Sequence, residues 1–436
     1  MIRGLARSPL ARQTLWYFFA QIANGALGLA VMTVLTRGLA VGDFGAYSLV
    51  VTVLTFTALF FDFGVAASAG RLLATATGEQ AQRARAGAML TGALGLGLLF
   101  GAALALASAV ADPLLGSGIG SLLLFAAPFA VVLPIQEMIL MICQGAGRIG
   151  LLSMMTVLPR LLLLPALAGL AYWSGLTPFS ALLVTMLATV FAAAVITAVL
   201  RPSLHGLRAQ LGELRREVRE FGRKTYAGRV VDSLTTGVDR MLIARWHGLE
   251  PVGYYSVAYT MAQPIAMMSR AVAGSSYRRF AGEDFIPRRV LVLNAIWCAA
   301  AAALLAGLGM LLVPLLFTGR YLPALPVLPL LAAATALAGI NAVFHSFFNA
   351  QRQGRTMRFL SISTSGLNVL ANLALVPFLS MTGAGLALCA STGLNLVLNL
   401  YFYRRYRRGR REENTGAGSA AFDTPGAENY SRTFDC

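Results

Sequence analysis

Residues 14–403 read as a succession of apolar stretches, most of them at least twenty residues long, divided by short segments that hold most of the charge. A helix needs about 20 apolar residues to cross the roughly 30 Å hydrocarbon core of a bilayer. Backbone groups inside hydrocarbon find no water, so each stretch has to satisfy its own hydrogen bonds as a helix. Spans are expected near 14–36, 44–70, 86–108, 119–142, 152–173, 178–200, 225–247, 252–277, 290–316, 325–349, 359–380 and 383–403. The seventh is the most polar and carries Arg229, Asp232, Asp239, Arg240 and Arg245. Only 12% of residues are charged and mean hydropathy is +0.69. A soluble domain carries about twice that charged share. The fold class expected is an all-α polytopic membrane protein.

The charges fix an orientation. Net charge is +17, and Lys224 is the only lysine. The segments 1–13, 71–85, 143–151, 201–224, 278–289, 350–358 and 404–436 hold 28 of the 35 Lys and Arg residues, while the opposite loops hold Arg37 and Arg320. Basic loops stay on the cytoplasmic side, so both termini are expected there, with an even number of spans. This dispersal into short blocks also argues against nucleic-acid binding, which needs one continuous basic surface. Arg3, Arg7 and Arg12 precede a first apolar run too long for a signal-peptide core, so it reads as an uncleaved span.

Little supports catalysis. Cys143, Cys298, Cys389 and Cys436 are widely spaced, with no metal or disulfide pattern. His205, His247 and His345 are the only histidines, and no nucleophile motif or phosphate-binding glycine loop stands out. The opposite loops are too short to carry the acids of an outer-face glycan polymerase or glycosyltransferase. No cofactor or metal is expected.

The chain repeats itself. Arg37, Gly45, Tyr47, Ser48 and Arg71 recur as Arg245, Gly253, Tyr255, Ser256 and Arg279, each 208 positions on. Gln144, Gly147 and Arg148 recur as Gln351, Gly354 and Arg355 at an offset of 207. A fixed offset held over a hundred residues marks duplication. Six spans per copy keep both copies in one orientation, the parallel-repeat plan of alternating-access transporters. The expected division is a six-helix lobe over 1–200, a connector over 201–224, a second lobe over 225–403 and a basic flank with a disordered polar tail over 404–436. In the connector, Leu204, Leu207, Leu211, Leu214, Val218 and Phe221 recur at helical spacing among arginines. Such a helix suits the inner membrane surface, as a plain linker or as a regulatory element.

The run LTRGLAVGDFGAYSLVVTVLTFTALFFDFGVAASAGRLLA, beginning at Leu35, resembles the N-terminal signature of polysaccharide-transport flippases. These belong to the superfamily that includes multidrug extruders and lipid II flippases. VDRMLIARWHGLEPVGYYSVAY, beginning at Val238, resembles that family's entry into its second half. The resemblance spans about residues 10–403. It implies two six-helix lobes around a central cavity. It also implies outward transport of undecaprenyl-pyrophosphate-linked O-antigen or exopolysaccharide units across a bacterial inner membrane. Membrane lipid, glycan polymerase and chain-length proteins are the partners it suggests. A multidrug exporter of the same superfamily is the alternative, with a membrane enzyme of glycan assembly behind it.

Ionisable residues inside a membrane are costly, which makes each a functional candidate. Asp62, Glu137, Arg160, Arg270 and His345 fall in the cytoplasmic half of their expected spans. Asp62 and Arg270 occupy equivalent repeat positions, as do Arg160 and Asn368. A pyrophosphate calls for permanent positive charge and forked donors, which guanidinium supplies. Arg160 and Arg270 are therefore the first candidates for the headgroup, with Arg240 and Arg229 next and Asn368 for glycan hydroxyls. Asp62 and Glu137 are candidates for a coupling ion. Against these roles stands structural pairing, above all of Arg270 with Asp62 or Glu137. The polar stripes Thr364, Asn368, Asn372 and Ser391, Asn395, Asn399 fit a wet interior or simple helix–helix contacts.

Overall fold

The computed structural model describes residues 9–223, 226, 230, 237–283, 285–351 and 353–420, with side chains from Trp16 on, save those of 278 and 411–420. Among these residues there are helices, short turns and no strand. The first half contains α1 (Pro9–Gly38), α2 (Val41–Phe60), α3 (Val65–Ala74), α4 (Glu79–Leu115), α5 (Gly120–Ala130), α6 (Val132–Gly145), α7 (Ile149–Trp173) and α8 (Pro178–Leu200). A connector helix, α9 (Leu207–Glu217), ends in the π turn Val218–Gly222. The second half contains α10 (Val238–His247), α11 (Leu249–Gly282), α12 (Arg288–Phe317), α13 (Leu328–Ala350) and α14 (Gly354–Ala420), with a 3-10 turn over Gly319–Ala324.

Among the described residues eight helices are long and apolar enough to cross a membrane, or nine if α5 and α6 form one crossing bent by 45°. The bend has a local cause. Pro134 stands in the first turn of α6 and has no N–H for the carbonyl of Ala130. The apolar part of α14, Gly354–Arg410, is 57 residues long and would reach about 85 Å unbroken. It is broken at Ser380 (φ 52°, ψ −132°), which turns it into two crossings. Beyond residue 403 the helix continues to Ala420, into the stretch where disorder is expected. The arginines and glutamates there are good helix formers, and the next proline is Pro425.

The surface belongs in lipid. Leu106, Met310 and Phe378 are 78%, 75% and 85% exposed, while Tyr172 and Trp173, at the end of α7, are 84% and 83% exposed. Aromatic residues at a helix end suit the headgroup level, and the apolar side chains suit the hydrocarbon. The chain is thus a multi-pass membrane protein. Its crossings divide into two six-helix lobes related by the parallel repeat, the seventh being described from Val238 on.

The lobes meet where α2 crosses α11. A Cβ on Gly45 would overlap the carbonyl oxygen of Leu249, and one on Gly253 would lie 2.9 Å from the carbonyl oxygen of Val41. Only glycine permits so close an approach of two backbones. Leu49 and Val50 of α2 and Val252 and Ala258 of α11 are fully buried in one apolar core that runs through both lobes. Near the same end, Tyr321 packs edge-on to Phe44 and Tyr254 at 6.0 and 6.1 Å. Arg37 donates to the carbonyls of Leu315 (2.7 Å) and Leu316 (3.3 Å) on α12. These carbonyls lie in the last turn of α12, where a cation also meets the negative end of the helix dipole. The arginine-poor end of the two lobes is sealed.

The connector docks on the first lobe. Arg85 pairs with Glu213 at 2.9 Å, Arg71 pairs with Glu217 at 3.2 Å, and the Arg71 guanidinium lies over the Phe221 ring at 4.9 Å. Leu214 is buried in an apolar cluster with Met89 and Ala93 of α4. The apolar face of α9 therefore packs on protein at this point.

Candidate functional site

A cavity of about 700 Å³ lies between the lobes. Most of its wall comes from α1, α2, α6 and α7, and α10 and α11 of the second lobe close it. Among the described residues, four of the ionisable side chains expected in the membrane line it: Asp62, Glu137, Arg160 and Arg240. Each is held by a feature of the local backbone.

Asp62 sits in a turn that splits one expected span into α2 and α3. Phe63 (φ 46°) and Gly64 (φ 77°) are left-handed there, and the Asp62 carboxylate accepts from the N–H of Ala66 at 2.9 Å. An acceptor side chain satisfies a donor that the first turn of α3 leaves open. Glu137 follows the Pro134 bend on α6.

Arg160 lies on α7, next to Pro159. Its Nη1 donates to the backbone carbonyl of Asn24 on α1. The guanidinium lies across Gly28, where a Cβ would come within 2.7 Å of Nη1. The glycine makes room for the arginine. Asn24 Oδ1 is buried beside it without a hydrogen-bond partner among the described residues.

Arg240 stands near the start of α10. Its Nη1 donates to Thr52 Oγ1 of the first lobe at 2.9 Å, and its guanidinium carbon lies 5.0 Å from the centre of the Tyr259 ring. The neighbouring Asp239 is taken up by the Tyr255 hydroxyl and the backbone N–H of Arg240. A centrally placed arginine costs about 2.5–3.5 kcal/mol in a membrane helix. A cation–π contact returns up to about 2 kcal/mol and an interhelical hydrogen bond about 0.6 kcal/mol. The account nearly closes, and Arg240 Nε stays buried with no hydrogen-bond partner among the described residues. Thr52 and Tyr259 thus hold the guanidinium at the cavity wall.

Two expected site residues are elsewhere. Arg270 is exposed, outside the cavity wall, and Nη2 donates to Gln263 Oε1 at 3.3 Å. The structural alternative, a cross-lobe pair of Arg270 with Asp62, is not formed either; the guanidinium folds back along its own helix to Gln263. Asn368 also stands away from the cavity. It is 2% exposed, and Nδ2 donates to Ser391 Oγ at 3.1 Å. The second half of the expected polar stripe behaves likewise: Asn399 donates to Asn395 (2.6 Å) and Asn341 (3.1 Å), and His345 bonds Asn395 at 3.0 Å. These amides tie α13 to the two halves of α14, because a polar group buried in an apolar bundle is stabilised by a partner on the next helix. Arg229 lies outside the described residues. Sequence reasoning missed Thr52, Tyr259 and Gln263, uncharged residues whose positions on a helix face carry no special signal.

The sequence matches the family described as polysaccharide biosynthesis protein over residues 10–281, more than half of the chain. The fold is similar to that of the lipid II flippase MurJ in an inward closed conformation, with a TM-score of 0.69, 12% identity and coverage of 90% of this chain and 87% of that one. It is also similar to an inward-facing multidrug resistance MATE family transporter of the MOP superfamily, with a TM-score of 0.71, 14% identity and coverage of 91% and 99%. A MOP superfamily transporter from Pyrococcus furiosus, described as having a binding pocket of reverse polarity, matches with a TM-score of 0.59, 16% identity and coverage of 94% and 97%. No curated protein matches the sequence significantly. The chain belongs to the polysaccharide biosynthesis protein family, on a fold of two six-helix lobes around a central cavity.

Proposed function

We propose that the protein is a flippase. It moves undecaprenyl-pyrophosphate-linked oligosaccharide units from the cytoplasmic to the periplasmic leaflet of a bacterial inner membrane by alternating access. The observation that carries this reading is the pair of arginines, Arg160 from the first lobe and Arg240 from the second, lining one cavity between the lobes. A pyrophosphate held by both arginines would be bound by both lobes, and release would follow as the lobes rock apart. Family membership and the flippase among the similar folds support the choice of a lipid-linked glycan. With both termini and the 201–224 connector in the cytoplasm, the sealed end lies outside and the cavity belongs to an inward-facing state. The lobes are then 1–200 and 225–403, and 404–436 is a cytoplasmic flank. Asp62 and Glu137, on the same wall, are the candidates for a coupling proton or sodium ion. Binding and movement account for the site without a chemical step.

Export of cationic amphiphiles is the second reading, and the two carboxylates in the cavity favour it. One pair of strains separates the readings. Deleting the gene should trap lipid-linked oligosaccharide in the cytoplasmic leaflet and leave sensitivity to cationic drugs unchanged. Drug sensitivity without trapped glycolipid would favour the exporter.

A further inference from the structure

The repeated motif of Gln144, Gly147 and Arg148 has different surroundings in the two lobes. In the first lobe Arg148 has an acid nearby, Glu79, at 3.9 Å. In the second lobe Gln351 is a structural tie. It donates to the carbonyls of Phe280 (2.7 Å) and Glu283 (2.9 Å) and accepts from the Tyr406 hydroxyl (3.0 Å). Arg355 then stands in the first turn of α14, on the wall of a second cavity of about 770 Å³. Arg405 and Arg410, from the far end of the same broken helix, line it too, and among the described residues no Asp or Glu lines it. Among the described residues, Arg355 and Arg405 form no ion pair.

Guanidinium groups that share a concavity repel one another, and the N–H groups of a helix's first turn add positive potential. An anion relieves both. The other wall is aromatic: Phe359 and Phe402 pack edge to face at 5.6 Å, and Phe359 is 51% exposed at the start of an apolar crossing. The pocket thus offers cations toward the basic end of the molecule and apolar rings toward the hydrocarbon. Basic pockets between helices at a membrane surface suit lipid phosphates.

We propose that this pocket binds the phosphodiester of an anionic glycerophospholipid, with the phosphate on Arg355 and Arg405 and an acyl chain along Phe359 and Phe402. The site is separate from the cavity between the lobes and does not depend on what that cavity carries. A soluble anion would use the arginines but leave the aromatic wall idle.

The test is native mass spectrometry of the full-length protein, with dihexanoyl phosphatidylglycerol as the probe. Bound phosphatidylglycerol should be retained by the wild type and not displaced by dihexanoyl phosphatidylcholine or inorganic pyrophosphate. In Arg355→Gln/Arg405→Gln, affinity should fall about thirtyfold, from the loss of two arginine–phosphate contacts. Phe359→Asp, a change at an exposed ring that sets a carboxylate beside the arginines, should lower it as strongly and serves if the double variant does not fold. Undiminished affinity in the variants would overturn the proposal. So would displacement of the lipid by pyrophosphate, which would make the pocket a soluble-anion site.

Discussion

Gly45 and Gly253 are separated by 208 positions in the chain and face each other where the two lobes cross. Each lacks the Cβ that would strike the other lobe's backbone, so the duplicated glycine makes one symmetric contact. Both obstacles are carbonyl oxygens, which cannot rotate away as a flexible side chain can. The crossing also lies on the same side of the molecule as Arg37 and the last turn of α12, which places it in the seal.

Gly45→Ala should therefore destabilise the protein. Alanine gains up to about 1 kcal/mol over glycine in a helix interior, but overpacking a fixed contact costs about 1–3 kcal/mol. A Cβ on Gly307, on α12, would have nothing within 4 Å, so Gly307→Ala should keep the helix gain. Thermal unfolding in detergent should show a lower midpoint for the first variant and an unchanged or higher one for the second. A gain in both would mean that the crossing is looser than described.

Gly28→Ala tests how Arg160 is positioned. The new methyl would push the guanidinium off the Asn24 carbonyl, while the charge remains. Surface glycan should fall, with expression and melting temperature close to wild type. Normal glycan would show that the position of the guanidinium is immaterial.

Asn368→Ala should act on stability. The amide links the two halves of α14, and interhelical hydrogen bonds in membranes contribute on average about 0.6 kcal/mol and at most about 1.7 kcal/mol. A small drop in unfolding midpoint with unchanged glycan is expected. Lost glycan in a variant of normal stability would return Asn368 to the substrate path.

Much of this was legible in the sequence, for identifiable reasons. Spacing of apolar runs and the 208-residue offset pointed to two six-helix lobes, and Gly45 and Gly253 were among the positions repeated at that offset. Intramembrane charge singled out Asp62, Glu137, Arg160 and Arg240, because its cost demands a purpose. The direction of a polar side chain was not legible: Asn368 and a cavity-lining asparagine give the same stripe. Arg270 shows the other limit, since a long flexible side chain can fold back onto Gln263 whatever its repeat position implies. The break at Asp62–Gly64 was hidden within an apolar run, where the only sign was Gly64.

The proposed orientation has its own test. Cysteines replacing Glu250 and Thr382 should react with an impermeant reagent in intact spheroplasts. Cysteines replacing Arg208 and Arg408 should react only after permeabilisation. The reverse pattern would invert the protein and turn the cavity toward the outside.

The most direct measurement is transport by the purified protein. Vesicles carrying undecaprenyl-pyrophosphate-linked oligosaccharide in one leaflet would be assayed for its arrival in the other, with wild type, Arg160→Gln and Arg240→Gln. Charged hydrogen bonds contribute about 1.5–3 kcal/mol, so each variant should lose about tenfold or more in affinity for the lipid while keeping its fold. Wild-type transport with loss in both variants is the predicted result. Absence of transport by wild type, or full transport by both variants, would contradict the claim that these two arginines carry a lipid-linked pyrophosphate between the lobes.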